Sequence, residues 1–309
     1  MSKYLVYTDA HVKGINPKSR IDNYYQSWLI KYREIFSIAR KEKVTAIIDA
    51  GDLLDIPNVV DSIVDDILDI IEEFKIPVYA MWGNHSMCGH HKETSKGTSL
   101  AHMFRRSKLF QDCGNGVEVG TDFHIDFIDY NHDIEIKIKE NGIIIDSKEN
   151  YWKIAICHVM ITPEPFFKGA LYITPEDIKT NADLIICGHY HHPWQKKIGN
   201  TQFVNPGCIG RTNIDMIDIE PSVLLLNTEK RSWEIIKLKS SKKGTECFDL
   251  IKKENEKNNE AELEVFINGL KDFKTAELDL VGTINFIGKE HNIEKKVVDC
   301  ILDKLGEVK

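Results

Sequence analysis

Residues 44–55 read VTAIIDAGDLLD, and this stretch decides the fold because a buried apolar run passes directly into a glycine and polar residues. The run Val44–Ala50 predicts a short buried strand. Two more apolar runs, Tyr4–Thr8 and Ile76–Trp82, end in the same way, in DAH and GNH motifs. The second motif, GDLLD, follows the middle strand. We therefore expect three strands that each deliver polar side chains where the strand ends.

Two helical patterns separate these three strands. Apolar residues recur at helical spacing in Asn23–Arg40 and again in Val59–Phe74. The resulting β-α-β-α-β order predicts a parallel sheet that is covered by helices.

The pattern changes after about Cys113, where short apolar runs follow one another closely. The predicted strands here are His124–Tyr130, Asp133–Ile138, Ile143–Ile145, Trp152–Cys157, Leu184–Cys187, Gln202–Val204, Val223–Leu226 and Trp233–Leu238. They predict a second, mostly antiparallel layer. The expected fold class is α/β, with two packed mixed β-sheets flanked by helices.

The composition shifts again near the C-terminus. Residues 1–239 are expected to form the main domain, and the charged residues 240–260 a linker. Residues 261–309 repeat apolar side chains at helical spacing, which predicts a small helical C-terminal appendage. It could dock a partner, serve as a reduced capping element, or fold back on the main domain.

Composition and charge exclude several classes of protein. The chain has 309 residues, of which 42% are hydrophobic, so wholesale disorder is excluded. We find no apolar stretch near the roughly 20 residues that a membrane span needs, and no secretion signal, so a cytoplasmic protein is expected. Seven cysteines without a CxxC pair favour free thiols in a reducing compartment. A net charge of −8 argues against a general polyphosphate-binding surface.

Five motifs at predicted strand ends carry residue types that bind divalent metals. The carboxyl ends of strands are where ligands gather in layered α/β folds, so the five motifs can converge. The candidate metal ligands are Asp9, His11, Asp52, Asn84, His158, His189 and His191. Seven ligands exceed one four- or five-coordinate ion but suit two ions about 3.5–4 Å apart with a bridging carboxylate. Mixed imidazole and oxygen ligands favour manganese, iron or zinc over calcium.

This ordered set resembles the calcineurin-like metallophosphoesterase superfamily, over about residues 3–211. The resemblance implies a four-layer sandwich in which Asp9, His11 and His191 hold one ion and Asp52 bridges. Asn84, His158 and His189 would hold the other ion. His85 would stay unligated as a catalytic donor to the phosphoryl oxygen or the leaving group, and the Asp55 side chain would orient it. Ser86 departs from the family, which usually has an acidic residue there.

Within that superfamily the chain is most similar to SbcD-type DNA repair nuclease subunits. Ile56 stands where phosphoprotein phosphatases carry an arginine, and about 40 residues with a long helix separate the first two motifs. The similarity implies a manganese-dependent nuclease that cleaves DNA with an SMC-like coiled-coil ATPase. It also implies a symmetric homodimer contact through Val59–Phe74 and Ser99–Phe110.

Other interpretations remain open. Arg105 and Arg106, with Lys108, form one candidate DNA-binding cluster, and Lys237, Lys239, Lys242 and Lys243 form another. For both clusters, the alternative is a run of charged side chains that are solvated at the surface and do not bind DNA. A small-molecule or cyclic-nucleotide phosphodiesterase or phosphatase would use the same metal site. A non-catalytic scaffold is a third alternative. The presence of all seven ligand types argues against it.

Overall fold

The computed structural model describes residues 2–114, 116–166, 170–249, 284, 288–289 and 293–306. The chain divides into two compact units, Met1–Phe248 and Asp249–Lys309. Within the described residues the first unit contains two six-stranded sheets, and each has helices on its outer face. The expected α/β fold class of two packed mixed sheets is confirmed.

The first sheet has the strand order β12-β11-β1-β2-β3-β4. Its strands are β1 (Lys3–Tyr7), β2 (Ala46–Asp49), β3 (Val78–Ala80), β4 (Phe110–Asp112), β11 (Ser222–Asn227) and β12 (Ser232–Lys237). Strands β1 to β4 are parallel, whereas β11 and β12 are antiparallel to their neighbours. The parallel part brings the ends of β1, β2 and β3 to one edge, as the sequence predicts.

The second sheet has the order β5-β6-β7-β8-β10-β9. Its strands are β5 (Val117–Val119), β6 (Phe123–Ile128), β7 (Trp152–His158), β8 (Leu184–Gly188), β9 (Trp194–Ile198) and β10 (Thr201–Asn205). The four inner strands are parallel, and only the edge strands β5 and β9 pair antiparallel. The expectation of a mostly antiparallel second layer was wrong, and β11 and β12 belong to the first sheet.

Alternating side chains in the strands fill three layers of core. In β1, Tyr4 and Val6 point between the sheets, while Leu5 and Tyr7 face the helices. The described helices are α1 (Tyr24–Glu42), α2 (Asp61–Phe74), α3 (Ser99–Arg106), α4 (Ile134–Asn141), α5 (Gly244–Cys247) and α6 (Lys295–Gly306). Helices α1, α2 and α3 pack on the first sheet and α4 on the second, which gives four layers.

Helix α1 shows why the sequence forms these elements. The Asn23 side chain accepts a hydrogen bond from the main-chain N–H of Gln26 and so caps the first turn. The side chains that face the sheet are Trp28, Tyr32, Ile35, Phe36 and Ala39, all fully buried. Lys43 ends the helix in a left-handed conformation with φ 54°.

Two predicted strands, Asp133–Ile138 and Ile143–Ile145, were wrong. The first lies in helix α4, where Ile134 and Ile138 are buried and Ile136 is 49% exposed. Isoleucine at every second position satisfies a strand period, but positions four apart also share one helix face, and the core selects that pair. In the second segment, Ile143 makes only an isolated bridge to Thr180.

The C-terminal region is described only in part. Residues 240–248 belong to the first unit, where Cys247 and Phe248 pack on Ile217. In the second unit, α6 matches the predicted helical spacing, and Ile284, Ile293 and Val298 form a small buried cluster. The predicted helix around Leu263–Leu270 lies outside the described residues, and the division at 239 and 260 stays a prediction. No helix in the described part is long and apolar enough to cross a bilayer.

Candidate metal centre

All seven predicted ligands lie at one edge of the two sheets. Asp9 and His11 follow β1, Asp52 follows β2, and Asn84 begins a short 3-10 turn after β3. From the second sheet, His158 ends β7, while His189 and His191 follow β8. The sequence therefore identified the residues that the fold brings together.

The first ligand group consists of Asp9, His11 and His191, whose ligand atoms lie within 4.8 Å of one another. The Nε2 atoms of His11 and His191 are 3.0 Å apart. Asp9 Oδ1 is 3.7 Å from His11 Nε2 and 3.8 Å from His191 Nε2. The three donor atoms thus converge on one point, as the resemblance implies for the first ion.

The second group consists of Asp52, His158 and His189, again within 4.8 Å. His158 Nε2 is 3.1 Å from Asp52 Oδ2 and 3.3 Å from Asn84 Oδ1. Asp52 Oδ2 is also 4.0 Å from His11 Nε2, so this carboxylate lies between the two groups. That position suits a bridging ligand.

Main-chain groups and the Thr8 hydroxyl fix the orientation of these residues. His158 Nδ1 is 2.9 Å from the carbonyl oxygen of Ala50, so Nδ1 carries the proton and Nε2 is left as the ligand atom. Asp9 Oδ2 accepts hydrogen bonds from Thr8 Oγ1 at 2.7 Å and from the His189 N–H at 3.1 Å. The N–H of His85 donates to Asp52 Oδ1 at 2.9 Å.

The backbone at the centre is strained where the ligands leave the strands. Four ligands have left-handed backbone conformations, with φ of 51° at Asp9, 45° at His11, 57° at Asp52 and 85° at His189. Each costs roughly 1–2 kcal/mol in a non-glycine residue. Such strain is retained at sites where function requires a particular geometry.

Two motif glycines are required by close approach. A Cβ atom on Gly83 would lie 2.1 Å from Asp52 Oδ1, and one on Gly51 would lie 2.4 Å from His158 Nδ1. Gly51 also has φ 101°, which side chains rarely tolerate. The glycine of the GN motif therefore makes room for a residue that follows the neighbouring strand, and the glycine of the GD motif makes room for one from the opposite sheet.

The buried carboxylates of the centre stabilise positive charge on the neighbouring histidines. Burial opposes ionisation of Asp52, but the adjacent His158 holds the pKa of Asp52 below its ordinary range. Burial alone would lower the pKa of His11, yet the Asp55 and Asp9 carboxylates raise it to about 10. In the same way, Asp52 raises the pKa of buried His158 to about 9. Burial and the charge of His158 lower the pKa of His189 to about 3.

This arrangement fits two divalent cations. Two imidazole nitrogens that face each other at 3.0 Å need a shared proton or a cation between them, and here buried carboxylates surround them. The donor set contains nitrogen and oxygen atoms without thiolate, which suits manganese, iron or zinc. The residues present therefore match the predicted cofactor, while the identity of the metal stays a prediction.

His85 and Asp55 are in contact, but not as the resemblance implies. His85 Nδ1 is 2.8 Å from the main-chain carbonyl oxygen of Asp55. The Asp55 carboxylate instead lies 3.5 Å from His11 Nδ1 and 2.7 Å from Lys13 Nζ. A carbonyl oxygen still fixes a protonated Nδ1 on His85, so the orienting effect is kept by another atom. His85 also groups with His11 and Asp52 within 4.8 Å.

Ser86 and the turn after β10 differ in what they contribute to the centre. Ser86 is fully buried, and among the described residues its Oγ has no hydrogen-bond partner, so it gives His85 no acidic support. The turn at Asn205-Pro206-Gly207 holds the loop between His189 and His191, because the Asn205 amide donates to the carbonyl of Tyr190.

Several residues of the centre were not predicted from the sequence. Thr8 contacts Asp9, Lys13 pairs with Asp55, and the Tyr130 ring packs against His189 with ring centroids 5.7 Å apart. Thr8 and Lys13 flank the first motif by one and two residues, so proximity could have indicated them. Tyr130 follows β6 and carries no motif that would have identified it.

The candidate DNA-binding arginines lie at the end of α3. Arg105 donates to the carbonyl oxygen of Lys96 at 2.9 Å, and Arg106 pairs with Asp65 of α2 at 2.6 Å. In the second basic cluster, Lys237 pairs with Glu220, and Lys242 lies 3.7 Å from Asp22. The role of these side chains in DNA binding stays a prediction.

The family model that matches this chain covers most of the first unit. The model of the calcineurin-like phosphoesterase superfamily domain matches residues 3–231. The chain is also similar to the DNA double-strand break repair protein Mre11 of Methanosarcina mazei, with 23% identity over 219 residues. The match covers 69% of this chain and 33% of Mre11, so the chain spans about a third of that relative's length.

Three solved structures are also similar to this chain. A protein of Thermus thermophilus has a TM-score of 0.45 and 14% identity, covering 77% of this chain and 99% of that one. An archaeal phosphodiesterase has a TM-score of 0.40 and 17% identity, covering 76% and 99%. A dimetal phosphatase from Danio rerio has a TM-score of 0.42 and 12% identity, covering 77% and 99%.

Proposed function

Because the chain belongs to the calcineurin-like phosphoesterase superfamily, we propose that it is a cytoplasmic, manganese-dependent DNA nuclease subunit of SbcD type. It is a metal-dependent phosphoesterase, and the proposal concerns its substrate, metal and partner. The nuclease would hydrolyse DNA phosphodiester bonds together with an SMC-like coiled-coil ATPase.

One observation carries the proposal: two ligand groups from four strand ends, with Asn84 from a fifth, lie on either side of the buried carboxylate of Asp52. Two divalent cations in such a site lower the pKa of water and neutralise charge on phosphate oxygens. Hydrolysis of a phosphodiester needs those two effects and no protein nucleophile.

The chain's own residues would position the substrate and move a proton. The Asp55 carbonyl holds His85 through Nδ1, which leaves Nε2 to contact the phosphoryl oxygen or the leaving group. His11 packs edge-on against His85 with ring centroids 4.7 Å apart and limits its rotation. His85 is therefore the proposed catalytic residue, and Asp55 is a positioning residue.

The DNA substrate rests on the similarity to Mre11, which extends over 69% of the chain. The net charge of −8 predicts that the isolated chain binds DNA weakly. Ion pairs of Arg106 with Asp65 and of Lys242 with Asp22, which already engage part of each basic cluster, point the same way. A partner ATPase would supply the missing affinity, and a homodimer through α2 and α3 would present two active sites.

The test is hydrolysis of labelled single-stranded and duplex DNA with Mn2+, with and without the cognate ATPase. We expect cleavage by the wild type and at least a hundredfold slower cleavage by His85→Asn. Ile136→Asn, an exposed substitution on α4, is the matched control and is expected to cleave like the wild type.

A second candidate is a small-molecule or cyclic-nucleotide phosphodiesterase. It is favoured by a mostly apolar pocket of about 450 Å³ that Asp55 shares with the metal centre. Hydrolysis of cyclic nucleotides or small diesters, together with no cleavage of DNA in either condition, would establish this candidate and refute the nuclease.

A further inference from the structure

One face of helix α1 carries three polar side chains that are buried together. Tyr24, Trp28 and Lys31 follow one another at intervals of four and three residues, so they share one side of the helix. All three are buried, and each side chain ends in a hydrogen-bond donor. We call them the α1 donors. Because a buried donor is costly without an acceptor, the positions of their acceptors indicate what this face does.

Two of the α1 donors bind consecutive main-chain carbonyls of the first motif. Trp28 Nε1 donates to the carbonyl oxygen of Ala10 at 2.8 Å. The Tyr24 hydroxyl donates to the carbonyl oxygen of His11, also at 2.8 Å. These carbonyls belong to the peptide groups directly before and directly after His11.

The same two peptide groups are also held through their N–H groups. The N–H of His11 donates to the carbonyl oxygen of Asp52 at 2.9 Å. The N–H of Val12 donates to the carbonyl oxygen of Leu53 at 2.8 Å. Each peptide plane beside His11 is therefore fixed on one side by the loop after β2 and on the other side by α1. Together these planes define the φ and ψ angles from which the His11 side chain leaves the backbone.

The third α1 donor reaches the first motif through one peptide group. Lys31 Nζ donates to the carbonyl oxygen of Ile209. The N–H of the same peptide group, that of Gly210, donates to the carbonyl oxygen of Asp9 at 3.1 Å. The carbonyls of residues 9, 10 and 11 are thus all held, directly or through one peptide, by α1.

The segment after β10 packs closely on the first motif and also contacts its remaining partner. The N–H of Cys208 donates to the carbonyl oxygen of His191 at 3.0 Å. A Cβ atom on Gly210 would lie 2.2 Å from the carbonyl oxygen of Ala10 and 2.6 Å from the Tyr24 hydroxyl. This space holds no methyl group, so the segment leaves the hydrogen bonds from α1 little freedom to lengthen.

The backbone of the first motif needs such support because it is strained. Asp9 and His11 both adopt left-handed conformations, which cost energy in residues other than glycine. Strained conformations persist where the surrounding structure determines them. The hydrogen bonds from α1 are made in this conformation and offset its cost.

The second ligand group is held by other elements. His158 Nδ1 contacts the carbonyl oxygen of Ala50, which follows β2. Among the described residues, no hydrogen bond joins an α1 donor to Asn84, His158 or His189. Loss of an α1 donor should therefore disturb one ligand group and spare the other.

We propose that the α1 donors are positioning residues for the first ligand group. They act through the main chain and fix the affinity of the cation that Asp9, His11 and His191 would hold. The affinity of the other cation does not depend on them. This inference rests on the two-cation centre of the proposed function and assigns to α1 a role in that centre.

The experiment removes one hydroxyl group and measures binding of Mn2+ alone. Tyr24→Phe leaves the His11 carbonyl without its donor, and free Mn2+ is followed by electron paramagnetic resonance during titration of the full chain. We expect one of the two Kd values to rise roughly fivefold or more and the other to stay within about twofold. Tyr25→Phe is the matched control, because that hydroxyl bonds the exposed Asp66 at 2.6 Å, and it should keep both Kd values.

Two further backgrounds identify the cation that is affected. Asn84→Ala removes a candidate ligand of the second group, and His191→Ala removes one of the first. Tyr24→Phe should raise the Kd of the remaining ion in the Asn84→Ala background and leave it unchanged in the His191→Ala background. Lys31→Met, which keeps an unbranched side chain without the donor, should act in the same direction and replaces Tyr24→Phe if that variant does not fold.

The outcomes separate this role from a general contribution to stability and from the proposed function. Urea unfolding in EDTA measures stability alone. A lower free energy of unfolding in Tyr24→Phe with both Kd values unchanged would overturn the proposal, as would an equal rise in both. A selective rise in one Kd, in a protein that hydrolyses neither DNA nor small phosphodiesters, would support the positioning role and refute the proposed function.

Discussion

Replacing Asp49 by asparagine should make the metal-free protein more stable at alkaline pH. Asp49 ends β2, three residues before Asp52, and is fully buried. Its Oδ1 accepts a hydrogen bond from the N–H of Gly51 at 3.1 Å, but no donor among the described residues reaches Oδ2. Burial raises the pKa of Asp49 from 3.8 to about 8.

The sign and the size follow from this difference in pKa. A carboxyl whose pKa is raised in the folded state contributes its full stability below pH 3.8 and loses it as the pH rises to about 8. At 1.36 kcal/mol for each pKa unit, the loss between pH 5 and pH 8.5 is at most roughly 4 kcal/mol. Asparagine keeps the shape of the side chain and cannot ionise, so Asp49→Asn should lack this loss.

The assay is urea unfolding of the full chain in EDTA at pH 5 and pH 8.5. We expect the free energy of unfolding of the wild type to fall relative to Asp49→Asn by up to that amount. Asp69→Asn, on the exposed side of α2, is the matched control and should follow the wild type within about 0.5 kcal/mol. Equal pH dependence in the wild type and Asp49→Asn would refute the reasoning, because Asp49 would then ionise as easily in the folded protein as in water.

Three further predictions concern the metal centre. Gly83→Ala should lose metal, measured by elemental analysis, because its Cβ would lie 2.1 Å from Asp52 Oδ1. His85→Asn should keep both metals but lose at least a hundredfold in kcat, because its main-chain N–H still holds Asp52. Affinity for Mn2+, measured by competition with a chelator, should rise as the pH rises to about 9, by up to about two log units per pH unit. The reason is that cations must displace protons from His11 and His158, whose pKa values are about 10 and about 9.

Each of these predictions has a result that would contradict it. Full metal content in Gly83→Ala would mean that the strand ends can separate without loss of the site. Loss of metal in His85→Asn would make His85 a ligand rather than a proton donor. An affinity for Mn2+ that stays constant between pH 6 and pH 9 would show that the histidines bind cations without releasing protons.

The residues that meet in the candidate metal centre could be predicted from the sequence because each sits at the end of an apolar run. Parallel strands place their carboxyl ends at one edge, so position along the chain translates directly into position in space. Asp52 and His158 come from different sheets, yet both follow this rule.

The order and direction of strands in the second sheet could not be predicted in this way. An apolar run indicates burial but not whether its neighbour runs parallel or antiparallel. The edge strand β5 is short and exposes Val117 and Val119, so it lacks the apolar pattern that marks the inner strands. Helix α4 was missed because isoleucine at every second position fits the strand period, and only the pair four residues apart, Ile134 and Ile138, also shares one helix face.

The contact between Asp55 and His85 shows a different limit. The sequence places an acidic side chain three residues after Asp52, and the carboxylate was the expected partner. In the fold, Lys13 and His11 attract that carboxylate, and the main-chain carbonyl takes its place on His85. The motifs identify which residues come into contact. The charges around those residues decide which of their atoms make the contact.

The number of Mn2+ ions bound per chain, in the wild type and in Asp52→Ala, tests the central claim most directly. Asp52 Oδ2 is 3.1 Å from His158 Nε2 and 4.0 Å from His11 Nε2, so its loss should weaken both cation sites. We predict two ions in the wild type and fewer than one in Asp52→Ala. A single ion in the wild type, or two ions retained in Asp52→Ala, would contradict a centre in which one carboxylate joins two cations.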